Sequence, residues 1–366
     1  MSKITVYNNF NELPASYLKI FADASRVSGF FYSYHWFKHL VETSFKKNVL
    51  LKIYGVESNA GQTKPGLALV MCCLPPSINL LAPKQLLPVS NYYTSLFGPV
   101  TGNDFESREE DIKLLVQTIV SERPGWDTVD MHPLDLSSPL FTLLKNTFRK
   151  EGMAVQAYFC FGNWYLNING RSFTEYFDTL PAKLKNTIAR KTKQLNNRTA
   201  WNIKIISSTA DLAEYIAVFE TIYNSSWKNP EPHPDFIPGL IHICAEQGWL
   251  RLGIAYINDQ PAAAQIWIVN SGVASIYKLA YIDAYSKYSI GTILTARLME
   301  HVIDIDKVRE VDYLTGDDEY KRDWMSNRRE RWGLICFNLR TPAGILASIK
   351  HMGRSALKRL LRMGGN

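Results

Sequence analysis

The sequence is short of cysteine, of long apolar runs and of compact catalytic signatures, and each shortage narrows what the chain can be. Its five cysteines are Cys72, Cys73, Cys160, Cys244 and Cys336. None stands in CxxC spacing, two are adjacent, and an odd number leaves one unpaired. Neither a disulfide framework nor a zinc site is therefore expected, and a reducing cytoplasm is the expected compartment. The longest apolar stretches, such as Lys64–Pro76, contain proline and are too short to span a bilayer. The opening MSKITVYNNFNELP has no basic segment followed by an apolar one, so no secretory leader is expected. GxSxG, Walker A and HExxH are absent, and His35, His39, His132, His242, His301 and His351 show no metal-ligand grouping. Nucleophilic-serine and metal-dependent mechanisms lose most of their support, and no metal is expected.

What is present is a globular composition. The chain has 366 residues, 46% hydrophobic and 20% charged, which is too long for one ordinary core and implies two domains. The net charge of +7 suits an anionic partner, whether a phosphate-bearing cofactor, a membrane surface or RNA.

Periodicity gives a mixed α/β order. In the first half, Leu13–Val27 and Phe37–Ser44 read as helices. Asn48–Tyr54 and Gly66–Leu74 read as a hairpin across the turn segment Glu57–Pro65. A helix over Glu106–Ser121, a strand over Trp126–His132, a helix over Leu140–Glu151 and a strand over Ala154–Cys160 follow. The second half repeats the style. Helices are expected over Ser172–Leu180 and Lys183–Asn196, a strand over Asn202–Ser207, a helix over Asp211–Trp227 capped by Ser208 or Thr209, and a helix over Pro238–Gln247. Strands at Leu250–Ile257, Pro261–Asn270 and Gly272–Tyr281 lead to a helix over Ser289–Asp304, then strands at Glu310–Leu314 and Arg331–Asn338. The repetition is architectural, without aligned residues. It implies two copies of one α/β fold meeting near Gly162–Asn169: domains at 1–165 and 166–341, then a helix at 342–366.

The second half carries a resemblance. Ser275–Ala284 (SIYKLAYIDA), Tyr288–Leu294 (YSIGTIL) and Val311–Trp324 (VDYLTGDDEYKRDW), with the opening basic helix LPAKLKNTIARKTKQL at Leu180–Leu195, resemble the BioF-like or CelD-like acetyltransferase domain. That domain is a GNAT-like relative of the Fem-type peptidoglycan aminoacyltransferases. The resemblance covers roughly Phe173–Leu339. It implies an α/β fold with a mixed sheet, two tandem GNAT-like domains around a shared cleft, and acyl-CoA as co-substrate.

The residues beneath that resemblance can be read chemically. Ser289, Gly291 and Thr292 open an apolar-periodic helix, where backbone N–H groups and hydroxyls would meet a pyrophosphate; an ordinary N-cap at Ser289 is the alternative. By position, the resemblance puts the oxyanion donor at the backbone near Leu279 or Ala280. Asp317, Asp318 and Glu319 follow a strand, and a solvated acidic turn competes with a proton-accepting role led by Asp317. Tyr320, Lys321 and Trp324 come next, and Lys321 is a candidate for holding a phosphate or polarising the acyl carbonyl. Tyr277 and Lys278 alternate on a strand, so one of them faces the cleft. Lys183 and Arg190 lie on a helix whose Lys183–Lys193 run has no acidic residue and suits a polyanion. Trp227 and His233 flank a proline-rich segment (SWKNPEPHPDF) that suits a lid over the acceptor, with His233 a candidate base.

Ala343–Met363 reads as a cationic amphipathic helix, suited to an anionic membrane interface, to packing on the domain or to a dimer seam. The expected function is therefore acyl-CoA-dependent N-acyl transfer to an amine acceptor, by direct attack, in cell-envelope lipid or polysaccharide metabolism. The expected place is the cytoplasm, at the inner membrane face. The alternatives are a Fem-type enzyme using aminoacyl-tRNA, or a non-catalytic accessory protein of envelope-polysaccharide synthesis. No DNA partner is expected.

Overall fold

The computed structural model describes residues 2–58, 64–75, 82–101 and 109–363, with the backbone alone at 58, 64 and 354–363. Parts of the expected turn at Glu57–Pro65 and of the expected helix from Glu106 lie outside these residues. The chain folds as two compact units, Met1–Cys160 with Glu330–Asn366, and Phe161–Arg329. This departs from the contiguous 1–165, 166–341 and 342–366 division read from the sequence. β7 (Ala154–Asn167) runs through most of the supposed boundary at Gly162–Asn169, and the last strand returns the chain to the first unit.

The first unit contains β1 (Lys3–Tyr7), α1 (Ala15–Ser28), α2 (Tyr34–Ser44), β2 (Leu50–Ser58), β3 (Lys64–Cys73), β4 (Gln85–Pro88), β5 (Val100–Thr101), α3 (Glu109–Ser121), β6 (Thr128–Asp135) and α4 (Pro139–Lys150). β2 and β3 form the expected antiparallel pair, with Leu50 opposite Cys73 and Tyr54 opposite Leu69. β1 adds to β2, while β4 pairs antiparallel with β3 and parallel with β6. The short β1, β4 and β5 carry too few alternating residues to be read from sequence. Aromatic side chains dominate the core: Tyr17, Phe21, Trp36, Phe37 and Phe148 are essentially inaccessible.

β7 (Ala154–Asn167) carries the chain into the second unit. There follow α5 (Phe173–Asp178), α6 (Ala182–Arg198), β8 (Trp201–Ile206), α7 (Leu212–Asn224), α8 (Phe236–Glu246), β9 (Leu250–Ile257), β10 (Gln260–Asn270), β11 (Val273–Tyr281), α9 (Ile290–Glu300), β12 (Glu310–Asp312) and α10 (Glu319–Arg322). β13 (Asn327–Phe337) leads back to the first unit, where it pairs with β6, and α11 (Pro342–Met363) ends the chain's described part. Strand order in the second unit is β7-β12-β11-β10-β9-β8. β8 to β11 form an antiparallel meander, β12 lies parallel to β11, and β7 is antiparallel to β12.

Local chemistry explains the helix starts. Ser172 and Glu175 make a reciprocal capping box on α5. α7 departs from expectation: neither Ser208 nor Thr209 caps it, and Asp211 takes the N-cap position in the left-handed region without a side-chain bond. The expected helix over Ser289–Asp304 is α9 followed by a π-helical turn at His301–Ile305. α9 buries Ile290, Ile293, Leu294, Leu298 and Met299. It can lie this close to β9 because position 253 is glycine: a Cβ there would stand 2.8 Å from a Leu298 methyl and 3.0 Å from a Leu294 methyl.

Two irregularities shape the middle of this sheet. Ile266 pairs with Lys278 and Trp267 with Ile276, so Tyr277 is the extra residue of a bulge in β11. The parallel ladder to β12 covers only Val273–Ser275 against Glu310–Asp312. Beyond Ser275, β11 continues to Tyr281 while β12 has ended, and the two chains part.

The contact at Gly253 carries a prediction. Gly253→Ala should lower unfolding free energy by about 1–3 kcal/mol through overpacking against α9, measured by urea denaturation; an unchanged midpoint would mean that α9 shifts freely.

Candidate functional site

The parting of β11 and β12 is held open by a buried polar clamp. Asp312, the last residue of β12, is only 6% exposed. Its Oδ1 accepts from the Leu314 N–H at 2.7 Å and from Asn163 Nδ2 at 2.5 Å, and its Oδ2 accepts from Arg329 at 2.6 Å. Asn163 Nδ2 also donates to the Leu314 carbonyl at 2.8 Å, and its Oδ1 accepts from Arg329 Nε at 2.6 Å. Arg329 reaches Glu310 at 2.7 Å and lies 4.3 Å from the Tyr165 ring. Despite the burial, the charges of Asp312 and Glu310 raise its pKa above the usual arginine range.

The clamp holds Leu314 at φ 55°, a left-handed conformation that a leucine adopts only under constraint. This residue turns the backbone out of the strand and into Thr315–Asp318. Gly316 follows at φ 108°, and Lys321 closes the turn: its Nζ donates to the Thr315 carbonyl at 2.5 Å and pairs with Asp318 at 3.3 Å. Lys321 is 4% exposed, and burial pushes its pKa below the lysine range against the opposing charge of Asp318.

In the wedge so formed lies a cavity of about 560 Å³. Leu279, Ala280 and Tyr281 of β11 form one wall, and Ser289 to Thr292 at the start of α9 form another. Trp227, Lys228, Tyr313, Asp318, Tyr320 and Trp324 also line it. Gly291 permits a close approach of the Tyr281 ring, 3.3 Å from where its Cβ would stand. Ser289 takes the N-cap position of α9 at φ 52° without a side-chain cap bond, and it lines the cavity.

The predicted residues divide by position. Leu279, Ala280, Ser289, Gly291, Thr292, Trp227, Asp318, Tyr320 and Trp324 are brought together around the cavity. Asp317 is not among its lining residues. Its carboxylate takes a bidentate bond from Arg328 at 2.7 and 2.9 Å and another from the Trp164 indole at 2.8 Å, and these hold its pKa below the usual carboxylate range. Lys321 is packed under the turn. Lys278 pairs with Glu231 at 2.5 Å, Tyr277 lies in the bulge, and half-buried His233 is outside the lining. Lys183 and Arg190 are exposed on α6, whose buried contacts are Leu184 and Leu195.

Gln265, Tyr313 and Thr295 are among the lining residues not singled out from the sequence. Gln265, 2% exposed, donates to the Gly291 carbonyl at 3.0 Å and Thr295 Oγ1 at 2.8 Å, tying β10 to the start of α9, and accepts from Trp267. A glutamine inside the apolar run PAAAQIWIV is a signal that could have found it. Tyr313 is buried, with its pKa raised well above the tyrosine range by burial. Thr295 stands one turn into α9. Lys228 lies about 6 Å from the Tyr223 and Trp227 rings, and burial, then the Lys278 charge, push its pKa down. Tyr320 stays protonated, its pKa pushed up to about 12 by burial and by Asp318. Among the described residues, no three His, Cys, Asp or Glu side chains are grouped to hold a metal ion.

Residues 182–322 match the acetyltransferase (GNAT) domain family. The structure is similar to the crystal structure of FemX, with a TM-score of 0.64 and 9% identity over 94% of this chain and 99% of that one. It is also similar to a conserved protein of unknown function from Bacteroides thetaiotaomicron (TM-score 0.52, 9% identity, 92% and 100% covered). A third likeness is to the C-terminal domain of a putative lysylphosphatidylglycerol synthetase from Agrobacterium fabrum (TM-score 0.50, 10% identity, 90% and 96% covered). At these identities the likeness is one of fold. No curated protein matches the chain in sequence. The chain thus has a mixed α/β fold shared with these structures, and the match of residues 182–322 to the acetyltransferase (GNAT) domain supports a transferase activity.

Asp312→Ala should lower unfolding free energy by about 3 kcal/mol or more, because Arg329 and Asn163 lose a buried partner; a loss below about 1 kcal/mol in urea would remove the clamp from this account. The Asp317–Arg328 pair predicts a pH effect. A depressed carboxylate pKa contributes stability fully above the unfolded value near 4, and the contribution fades as pH falls through the folded value. Asp317→Asn should therefore flatten the stability profile below about pH 4 and lose a little stability at pH 7, a small effect for an exposed pair.

Proposed function

We propose that the Phe161–Arg329 unit catalyses transfer of an activated acyl group to an amine, with the reacting carbonyl seated where β11 and β12 part. The observation that carries this reading is the convergence on one cavity of an edge of β11, the start of α9 and the Asp318–Tyr320 turn, within a segment matching the GNAT acetyltransferase family. The α9 N-terminus suits the phosphates of a carrier, since its first N–H groups have no intrahelical acceptor. The acyl oxygen would be stabilised by backbone N–H at Leu279–Ala280, on the side that β12 vacates.

The amine nitrogen attacks the acyl carbon, a C–N bond forms, and the bond to the carrier breaks. In this reading Asp318, which lines the cavity, takes the amine proton; Asp317 is engaged by Arg328 and acts by positioning the turn. Tyr320 gives its proton to the departing oxygen or sulfur and regains one from solvent.

The carrier separates two readings. The whole-chain likeness to FemX favours a Fem-type transfer from aminoacyl-tRNA, and the exposed basic face of α6 offers that polyanion a surface. Acyl-CoA is the second reading, favoured by the family match at 182–322.

Thermal shift with aminoacyl-tRNA, uncharged tRNA, CoA and acyl-CoA separates them, since only a ligand of the native state raises the melting temperature. A shift with aminoacyl-tRNA alone supports the first reading, and a shift with CoA species alone replaces it with the second. No shift with any of the four overturns both. Asp318→Asn and Tyr320→Phe are each expected to lower turnover about 10²–10⁴-fold, with little change in melting temperature for Tyr320→Phe; full activity in either sinks that role.

A further inference from the structure

The C-terminal helix is built inside out. Over its described side chains, the residues turned toward the protein are small: Ala343 is 8% exposed, Ser348 7%, and Gly344 is buried. The large apolar residues turn outward: Ile345 is 43% exposed, Ile349 58% and Met352 52%, with Leu346 beside them at 36%. The helix is firmly seated on the first unit by other contacts. The Thr341 hydroxyl donates to Asp127 at 2.5 Å and accepts from the Gly344 N–H at 3.1 Å. His351 lies 6.0 Å from the Tyr158 ring and 5.7 Å from Phe337.

Charge identifies what this face fits. After Glu330 the sequence has no acidic residue but seven basic ones: Arg331, Arg340, Lys350, Arg354, Lys358, Arg359 and Arg362. The whole chain has 41 Lys+Arg and 34 Asp+Glu, so without these seven the two signs balance and the net charge of +7 vanishes. Five of the seven, Lys350, Arg354, Lys358, Arg359 and Arg362, belong to α11 itself. Arg331 is spent on Asp135 at 2.9 Å within the unit. Ile345, Ile349 and Met352 follow one another at helical spacing and form a single exposed stripe along the described side chains of α11. An apolar stripe on a cationic helix with no acidic residue matches a surface that is anionic at its headgroups and apolar just beneath. No helix among the described residues is long and apolar enough to cross a membrane, so the match is to lying on one.

We infer that α11 docks the protein on an anionic lipid surface, with the Ile345–Ile349–Met352 stripe inserted among the acyl chains and the Lys350–Arg362 cations at the headgroups. This is independent of the donor in the transfer reaction.

The test is co-sedimentation of the full chain with vesicles of phosphatidylcholine alone or with about one-third phosphatidylglycerol, at low and high salt. Binding is expected only with phosphatidylglycerol and should weaken as salt screens the headgroups. Ile349→Glu/Met352→Glu, at exposed positions, should weaken partitioning at least tenfold with an unchanged melting temperature. Full-chain protein that stays in the supernatant, or a variant that binds as well as the parent, overturns the inference. So does a concentration-dependent dimer, seen by ultracentrifugation and abolished by the same variant without vesicle binding, which would assign the stripe to a second copy.

Discussion

The site depends on one buried carboxylate. Asp312 ends a strand of three residues, and its two oxygens are shared among a backbone N–H, an asparagine amide and an arginine. Burial would make an ionised carboxylate costly, but Arg329 supplies the opposite charge and Glu310 and Tyr165 complete the surroundings of that arginine. The clamp stabilises a left-handed leucine at the moment the chain must leave the sheet. Without that turn, β12 would continue its ladder along β11, and the space between them would be filled by backbone hydrogen bonds.

Everything that can act on a substrate follows from this departure. β11 runs on alone past Ser275, bulged at Tyr277, and offers an edge at Leu279–Tyr281. α9 is drawn against it by Gly253 behind and by Gln265 at its first turn. The turn after Leu314 brings Asp318 and Tyr320 to the open side, while Lys321 is consumed in holding the turn together. Neighbouring residues of the same chemical type therefore have different work: Asp317 is held by Arg328 outside the cavity lining, and Asp318, paired with Lys321, lines the cavity.

Much of the architecture was legible in the sequence because it rests on local pattern. The β9–β10–β11 meander is written in three apolar runs separated by Asn258-Asp259 and Ser271-Gly272, all at positive φ. α6, α8, α9 and α11 show their faces in their spacing, and the order of SIYKLAYIDA, YSIGTIL and VDYLTGDD carried the family resemblance. Nine of the residues singled out there converge on one cavity. β1, β4 and β5 were not legible, since a strand of two to five residues draws its stability from its neighbours.

By itself the sequence determined which segments are helix and strand in the second unit, where the apolar faces lie and where charge accumulates, because periodicity and composition are properties of neighbours along the chain. Only the tertiary structure decided which chemistry is free to act. Asp317, Lys278 and Lys321 are occupied by Arg328, Glu231 and the Thr315 carbonyl, partners 11, 47 and 6 residues away. It also decided that the last strand belongs with the first unit and that α11 turns Ile345, Ile349 and Met352 outward. Pairing between distant residues sets these outcomes, and no local pattern encodes it.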